Sequence, residues 1–184
     1  MYGEGEKRIG TLVGVARTSL GDAAAFRAFY DEALPQVYSY LFHRCGGDAA
    51  SAEELTQETF IAAVMELQKG KVVSDPIAWV FGIARHKLVD HYRRQERRER
   101  TAARVPAIEP EAREWEGVEQ RELTLRTLAA LPVAQRAALV LRYLDDLSVA
   151  DVARELGKSV HATESILARG KESFRSIHAE VARD

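Results

Sequence analysis

"DPIAWVFGIARHKLVDHYRRQERRER", residues 75–100, is the stretch from which the fold class of this chain can be read. Asp75 can accept an orphan backbone N–H, and Pro76 lacks the N–H that a first helical turn leaves unpaired, so the two together predict a helix start. From there Ile77, Val80, Phe81, Ala84, Leu88 and Tyr92 step by three and four and lay an apolar stripe along one side. Arg85, His86, Asp90, Arg93, Arg94, Arg97 and Arg98 fall off that stripe. Residues 82–100 carry seven Lys or Arg against three acids, although the whole chain has a formal net charge of -2. Positive charge is therefore placed locally, as a phosphate-binding surface needs, and the protein as a whole is not a polycation.

Upstream of this segment, Phe26, Phe29, Tyr30, Leu34, Val37, Tyr38, Leu41 and Phe42 repeat the helical period from Asp22 onward, with a bend expected at Pro35. "CGGDAAS" interrupts it at residues 45–51. Ser51 with Glu54 three residues on reads as a capping box, and Leu55, Thr59 or Phe60, Val64 and Leu67 carry a second stripe as far as "KGK" at 69–71. Residues 1–21 are Gly-rich and weakly patterned, which predicts a mobile tail.

Downstream, residues 101–122 hold two prolines and six Glu against three Arg, the composition of an acidic linker. Four helical segments follow, at about 120–130, 133–144, 148–156 and 161–181. In the last pair Ser148 is placed to cap a helix whose buried side is Val149, Val152, Ala153 and Leu156, and Gly157 stands where a left-handed turn is needed. The next helix would turn Thr163, Ile166, Leu167 and Gly170 inward and leave His161, Ser165, Arg169, Lys171 and Arg175 outward, the pattern of a DNA-reading helix-turn-helix. No stretch alternates long enough for a strand. The expected fold is all-α: two small helical domains, 22–100 and 123–184, joined by a flexible linker.

Several function classes are excluded by what the sequence lacks. There is no Gly-rich phosphate loop, nucleophile elbow or paired-carboxylate signature, so no enzyme is expected. His43, Cys45, His86 and His91 do not have structural-zinc spacing, and neither metal nor cofactor is expected. One cysteine, Cys45, cannot form an internal disulfide, and the apolar runs near the start are too short for a membrane span or a signal peptide, so the expected location is cytoplasmic. Trp79, Phe81 and Tyr92 share a helix with the basic run, which suits single-stranded DNA, where bases stack on rings and cations follow the backbone.

Taken in order, "AEELTQETFIAAVMEL" (52–67), "DPIAWVFGIARHKLVDHYRRQ" (75–95) and "LAALPVAQRAALVLRYLDDLSVADVARELGKSVHATESILARGKESFR" (128–175) resemble the extracytoplasmic-function (ECF) group of bacterial sigma factors. The resemblance implies that the first domain is region 2, which binds the clamp helices of the RNA polymerase largest subunit and helps melt the promoter -10 element. It places Glu54, Leu55, Gln57, Glu58 and Phe60 on the polymerase-binding helix. It sets Trp79, Arg85, His86, Asp90, Arg93, Arg94 and Arg97 toward the -10 element, and it puts the 68–75 loop where a flipped base is captured. The second domain resembles region 4, which touches the polymerase flap and reads the -35 element, here through His161, Glu164, Ser165, Arg169 and Lys171. The resemblance implies promoter DNA, core polymerase and an anti-sigma factor as partners. His86, Gly82 and Val64 stand where Asn, a basic residue and Trp are common in the family, and Glu164 and Ile166 where basic residues are frequent.

Overall fold

The computed structural model describes residues 22–101 and 119–183. The expected tail at 1–21 and all but the ends of the expected linker lie outside the described residues. Along the chain run α1 (Ala23–Arg44), α2 (Ala49–Gln68), α3 (Pro76–Thr101), α4 (Glu119–Ala130), α5 (Val133–Leu139), a π-helical turn (Val140–Leu144), α6 (Val149–Leu156) and α7 (Val160–Val181). Among the described residues there is no strand, and the all-α reading holds.

The helix starts follow local chemistry. Asp75 Oδ1 accepts the Ala78 N–H at 3.0 Å, as the Asp-Pro pair predicts. The start of α2 corrects the sequence reading: the cap is Asp48, whose carboxylate accepts from the Ser51 N–H at 3.3 Å and the Ser51 hydroxyl at 2.7 Å. Ser51 is thus the third residue of the helix and the partner of the cap. Asp48 reaches the orphan N–H groups first, and Gly46 and Gly47, with φ of 73° and 83°, have already turned the chain before it. α1 continues through Pro35.

Contacts divide the described chain into two units. One holds residues up to Tyr40 together with Glu53–Lys87, and the other holds Leu41–Ala52 together with the described residues from Leu88 onward. In the first, Phe29, Ala33, Val37, Leu55, Phe60, Ala63, Val80 and Ala84 are buried. Rings meet edge to face, Tyr30 with Phe60 at 4.7 Å and Tyr40 with Phe81 at 5.2 Å between centroids. Thr59 is also fully buried, its hydroxyl donating to the Leu55 carbonyl at 2.7 Å.

In the second unit α7 packs on α4, α5 and α6. Leu128, Leu131, Leu139, Val140, Leu141, Val152, Leu156, Ile166 and Leu167 are buried. Ser148 caps α6 by accepting the Asp151 N–H at 3.1 Å, Gly157 ends it at φ 64°, and Ser159 caps α7 by accepting from Ala162 at 3.2 Å. The expected helix over 133–144 runs without a break but widens to a π-helical turn over Val140–Leu144, where the Asp145 N–H donates to the carbonyl of Val140, five residues back, at 3.1 Å. Cys45 is buried, and that burial pushes its thiol up to about 12.

Candidate nucleic-acid interface

α3 carries most of the candidate residues. By the helical period Trp79, His86, Asp90, Arg93 and Arg97 fall along one side of it, with Arg94 beside them and Arg85 turned away. In the first unit Trp79 is half-buried, and its indole N–H donates to Glu66 at 3.3 Å. Lys71 pairs with the same carboxylate at 2.7 Å and lies 5.8 Å from the centre of the Trp79 ring. The hydrogen bond from Lys71 is the main cause that holds the Glu66 carboxyl below its usual range. One charged group thereby ties the indole to the 68–75 loop, whose Val72 is 93% exposed. Arg85 is half-buried with its Nε buried and unpartnered, and His86 is exposed.

Further along, Asp90 is exposed and 3.7 Å from Arg93, Arg94 is half-buried and Arg97 is exposed. Arg93 is half-buried and donates to the backbone carbonyl of Glu155. Arg94, Arg97, Arg98 and Thr101 share an open surface at the end of α3. The strongest density of positive charge thus sits at the C-terminal end of α3, where the helix dipole also favours it.

On α2 the expected polymerase contacts separate by burial. Glu54 and Gln57 are exposed, and Glu58 is half-buried and paired with Lys87 at 3.3 Å. Leu55 is fully buried and Phe60 nearly so, which makes them supports of the face and not part of its surface. Glu54, Gln57 and Glu58 continue at helical spacing into Ile61 and Met65, which are 60% and 52% exposed. Ile61 and Met65 escaped the sequence reading; their spacing from Glu54 was the available signal.

On α7 the inward set, Thr163, Ile166, Leu167 and Gly170, is buried as the period predicts. His161, Glu164, Ser165, Arg169 and Lys171 are all exposed. The Lys171 ammonium lies 5.2 Å from the centre of the Tyr143 ring, with the Arg142 guanidinium at 5.6 Å. Tyr143 was not expected here; the π-helical turn presents it. Among the described residues no group of three or more His, Cys, Asp or Glu is placed to hold a metal ion, and no helix is long and apolar enough to cross a membrane.

Residues 29–98 match the Sigma-70 region 2 family model and residues 121–174 the Sigma-70 region 4 model. Over 91% of its length the chain is 31% identical to the ECF RNA polymerase sigma factor SigL of Mycobacterium tuberculosis, 96% of which is covered. The chain belongs to the ECF family of RNA polymerase sigma factors. This ECF sigma factor is also 32% identical, over 92% of its length, to BldN of Streptomyces coelicolor, and it spans 66% of that protein. The structure of the sigma factor RpoE in complex with the anti-sigma factor NepR from Bartonella quintana matches with a TM-score of 0.49 at 20% identity, over 83% of this chain and 95% of that one. As an ECF sigma factor the chain is a transcription initiation factor and not an enzyme. The region 2 model takes in α2 and nearly all of α3, and the region 4 model runs from α4 into α7.

Proposed function

We propose that this ECF sigma factor docks on core RNA polymerase through the outer face of α2, engages the -10 element along α3 and reads the -35 element with α7. The observation that carries the reading is the zoning of α3: Trp79 and His86 lead into Arg93, Arg94 and Arg97 along one helix, whereas the chain as a whole is weakly acidic. Stacking surfaces followed by cations are what a single strand of DNA requires. Contacts to core come from Glu54, Gln57, Glu58, Ile61 and Met65, with Leu55 and Phe60 holding that face from beneath. At the -35 element His161, Glu164, Ser165 and Arg169 face the major groove, and Lys171 meets a phosphate. The working division is 22–100 as region 2, 101–122 as an acidic linker and 123–184 as region 4. The factor works in the cytoplasm, with the polymerase flap as a region 4 contact and an anti-sigma factor as its regulator.

The experiment mixes the purified protein with bacterial core RNA polymerase and a pool of promoter fragments and sequences the transcript starts. Specific starts sharing two elements at fixed spacing are expected. Tight duplex binding by the protein alone with no initiation would instead mark a polymerase-independent regulator.

A further inference from the structure

The π-helical turn at Val140–Leu144 changes what the end of α5 shows to solvent. Val140 and Leu141 are fully buried, and in a regular helix Leu144, four residues after Val140, would continue that inward stripe. The widened turn instead leaves Leu144 48% and Tyr143 54% exposed. The Tyr143 hydroxyl makes no hydrogen bond among the described residues, so what the side chain offers its neighbours is its ring. Two cations lie against that ring. The Arg142 guanidinium, 5.6 Å from its centre, is committed elsewhere: it donates to the Leu147 carbonyl at 3.0 Å and lies 3.8 Å from Asp146. The Lys171 ammonium, at 5.2 Å, has no carboxylate partner among the described residues. Gly170 brings the two elements together. A Cβ there would lie 3.3 Å from Leu139 Cγ, so α7 comes closest to α5 at the residue just before the turn begins.

Along α7, Lys171 follows Glu164 by seven residues and precedes Arg175 by four, which keeps all three on one outward side of the helix. A free lysine gives up the rotamer freedom of its four-carbon stem when it grips a phosphate. A ring that already holds the ammonium removes part of that loss before DNA arrives, and it leaves the far side of the ammonium open to a phosphate oxygen. We propose that Tyr143 is a positioning residue for the -35 complex, its ring pre-ordering Lys171 for one phosphate at the edge of the duplex. The inference rests on the reading of α7 as the helix that meets the -35 element. It adds to that reading a residue from outside the helix-turn-helix, placed there by the π-helical turn.

The test assembles the full-length protein with bacterial core polymerase and measures the affinity of the complex, across a salt titration, for a duplex promoter fragment recovered by sequencing transcript starts. Lys171→Met should weaken binding and flatten the slope of log K against log salt by about 0.9, the loss of one phosphate contact. Tyr143→Leu should weaken binding about threefold, and Tyr143→Phe, which keeps the ring, should match the parent. In a Lys171→Met background Tyr143→Leu should cost nothing further, whereas a mere folding defect would persist there. Parent-like affinity in Tyr143→Leu, a Tyr143→Phe variant as weak as Tyr143→Leu, a loss that survives Lys171→Met, or a loss of core affinity in place of DNA affinity would each overturn the positioning role. Initiation by the parent separates the two failures: starts without the expected pattern among the variants sink the role of Tyr143 alone, and absence of starts sinks the sigma reading and that role with it.

Discussion

Gly46 and Gly157 both hold positive φ, 73° and 64°, yet they ask different things of a replacement. A methyl group at Gly157 meets nothing within 4 Å, so Gly157→Ala pays only for the left-handed backbone, about 1 kcal/mol. At Gly46 the same methyl group would lie 3.0 Å from the Ala129 backbone nitrogen and 3.1 Å from its Cα, atoms that cannot swing aside. Gly46→Ala should therefore cost upward of about 2 kcal/mol, and thermal unfolding should put its Tm well below that of Gly157→Ala. The role of Gly157 could be read from its place after an apolar stripe; that of Gly46 could not, because the Ala129 it approaches is far along the chain. The candidate contacts divide in the same manner. Arg93→Ala with Arg94→Ala should reduce open-complex formation on the order of tenfold and leave core binding nearly intact. Charge reversal at Glu54 and Glu58 should do the opposite, measured by core affinity and by melting of a promoter fragment. Equal losses of both activities in both variants would end that division of labour. Leu55 and Phe60 warn that a family's motif residues include supports as well as contacts, a distinction that only burial reveals.

α6 depends on its cap. Ser148 Oγ accepts from the Asp151 N–H at 3.1 Å and donates to its carboxylate at 2.6 Å, so Ser148→Ala removes two bonds and should cost about 1 kcal/mol at neutral pH. The Ser148 hydrogen bond is the first cause that lowers the Asp151 pKa, followed by the bond from Arg154. A folded-state pKa below the unfolded one means that this stabilisation is complete above the ordinary carboxylate range and fades as pH falls through it. The Tm difference between the parent and Ser148→Ala should accordingly narrow on acidification; a constant difference would show that the carboxylate is idle. This cap and the inward face of α7 were readable because both depend on neighbours within one or two turns. The start of α2 was misplaced because Asp48 and Ser51 each carry a capping side chain, and only geometry tells which accepts. The π-helical turn was invisible for a different reason: one widened turn inside "VLRYL" leaves the apolar spacing almost unchanged, yet it exposes Tyr143 and Leu144.

Charge zoning over the whole chain was evident in the sequence, but the use of the acids within the basic run was not. Glu96 and Glu99 look like solvated counter-charges beside arginines, and Gln95 like a neutral spacer among them; the partners that give the three meaning, Lys158, Val133 and Arg136, belong to later helices. Their arrangement makes a sharp prediction about acid. Burial alone would raise the Glu96 pKa, but hydrogen bonds and charge from Lys158 and Arg100 outweigh it, and the net direction is downward. Ionised Glu96 is therefore worth most while it holds Lys158, so its contribution is whole above the unperturbed glutamate pKa of about 4.3 and is lost as pH drops through that value and below. Acidification below about pH 4.3 should therefore lower the Tm of the parent protein more than that of Glu96→Gln. Glu96→Gln, which cannot hold the ionic pair at any pH, should already have a lower Tm than the parent at pH 7 and should lose less over the same range. A parent whose Tm falls in parallel with that of Glu96→Gln on acidification, or a Glu96→Gln variant as stable as the parent at pH 7, would mean that the second unit is held by its apolar contacts and that the Glu96–Lys158 pair merely decorates them.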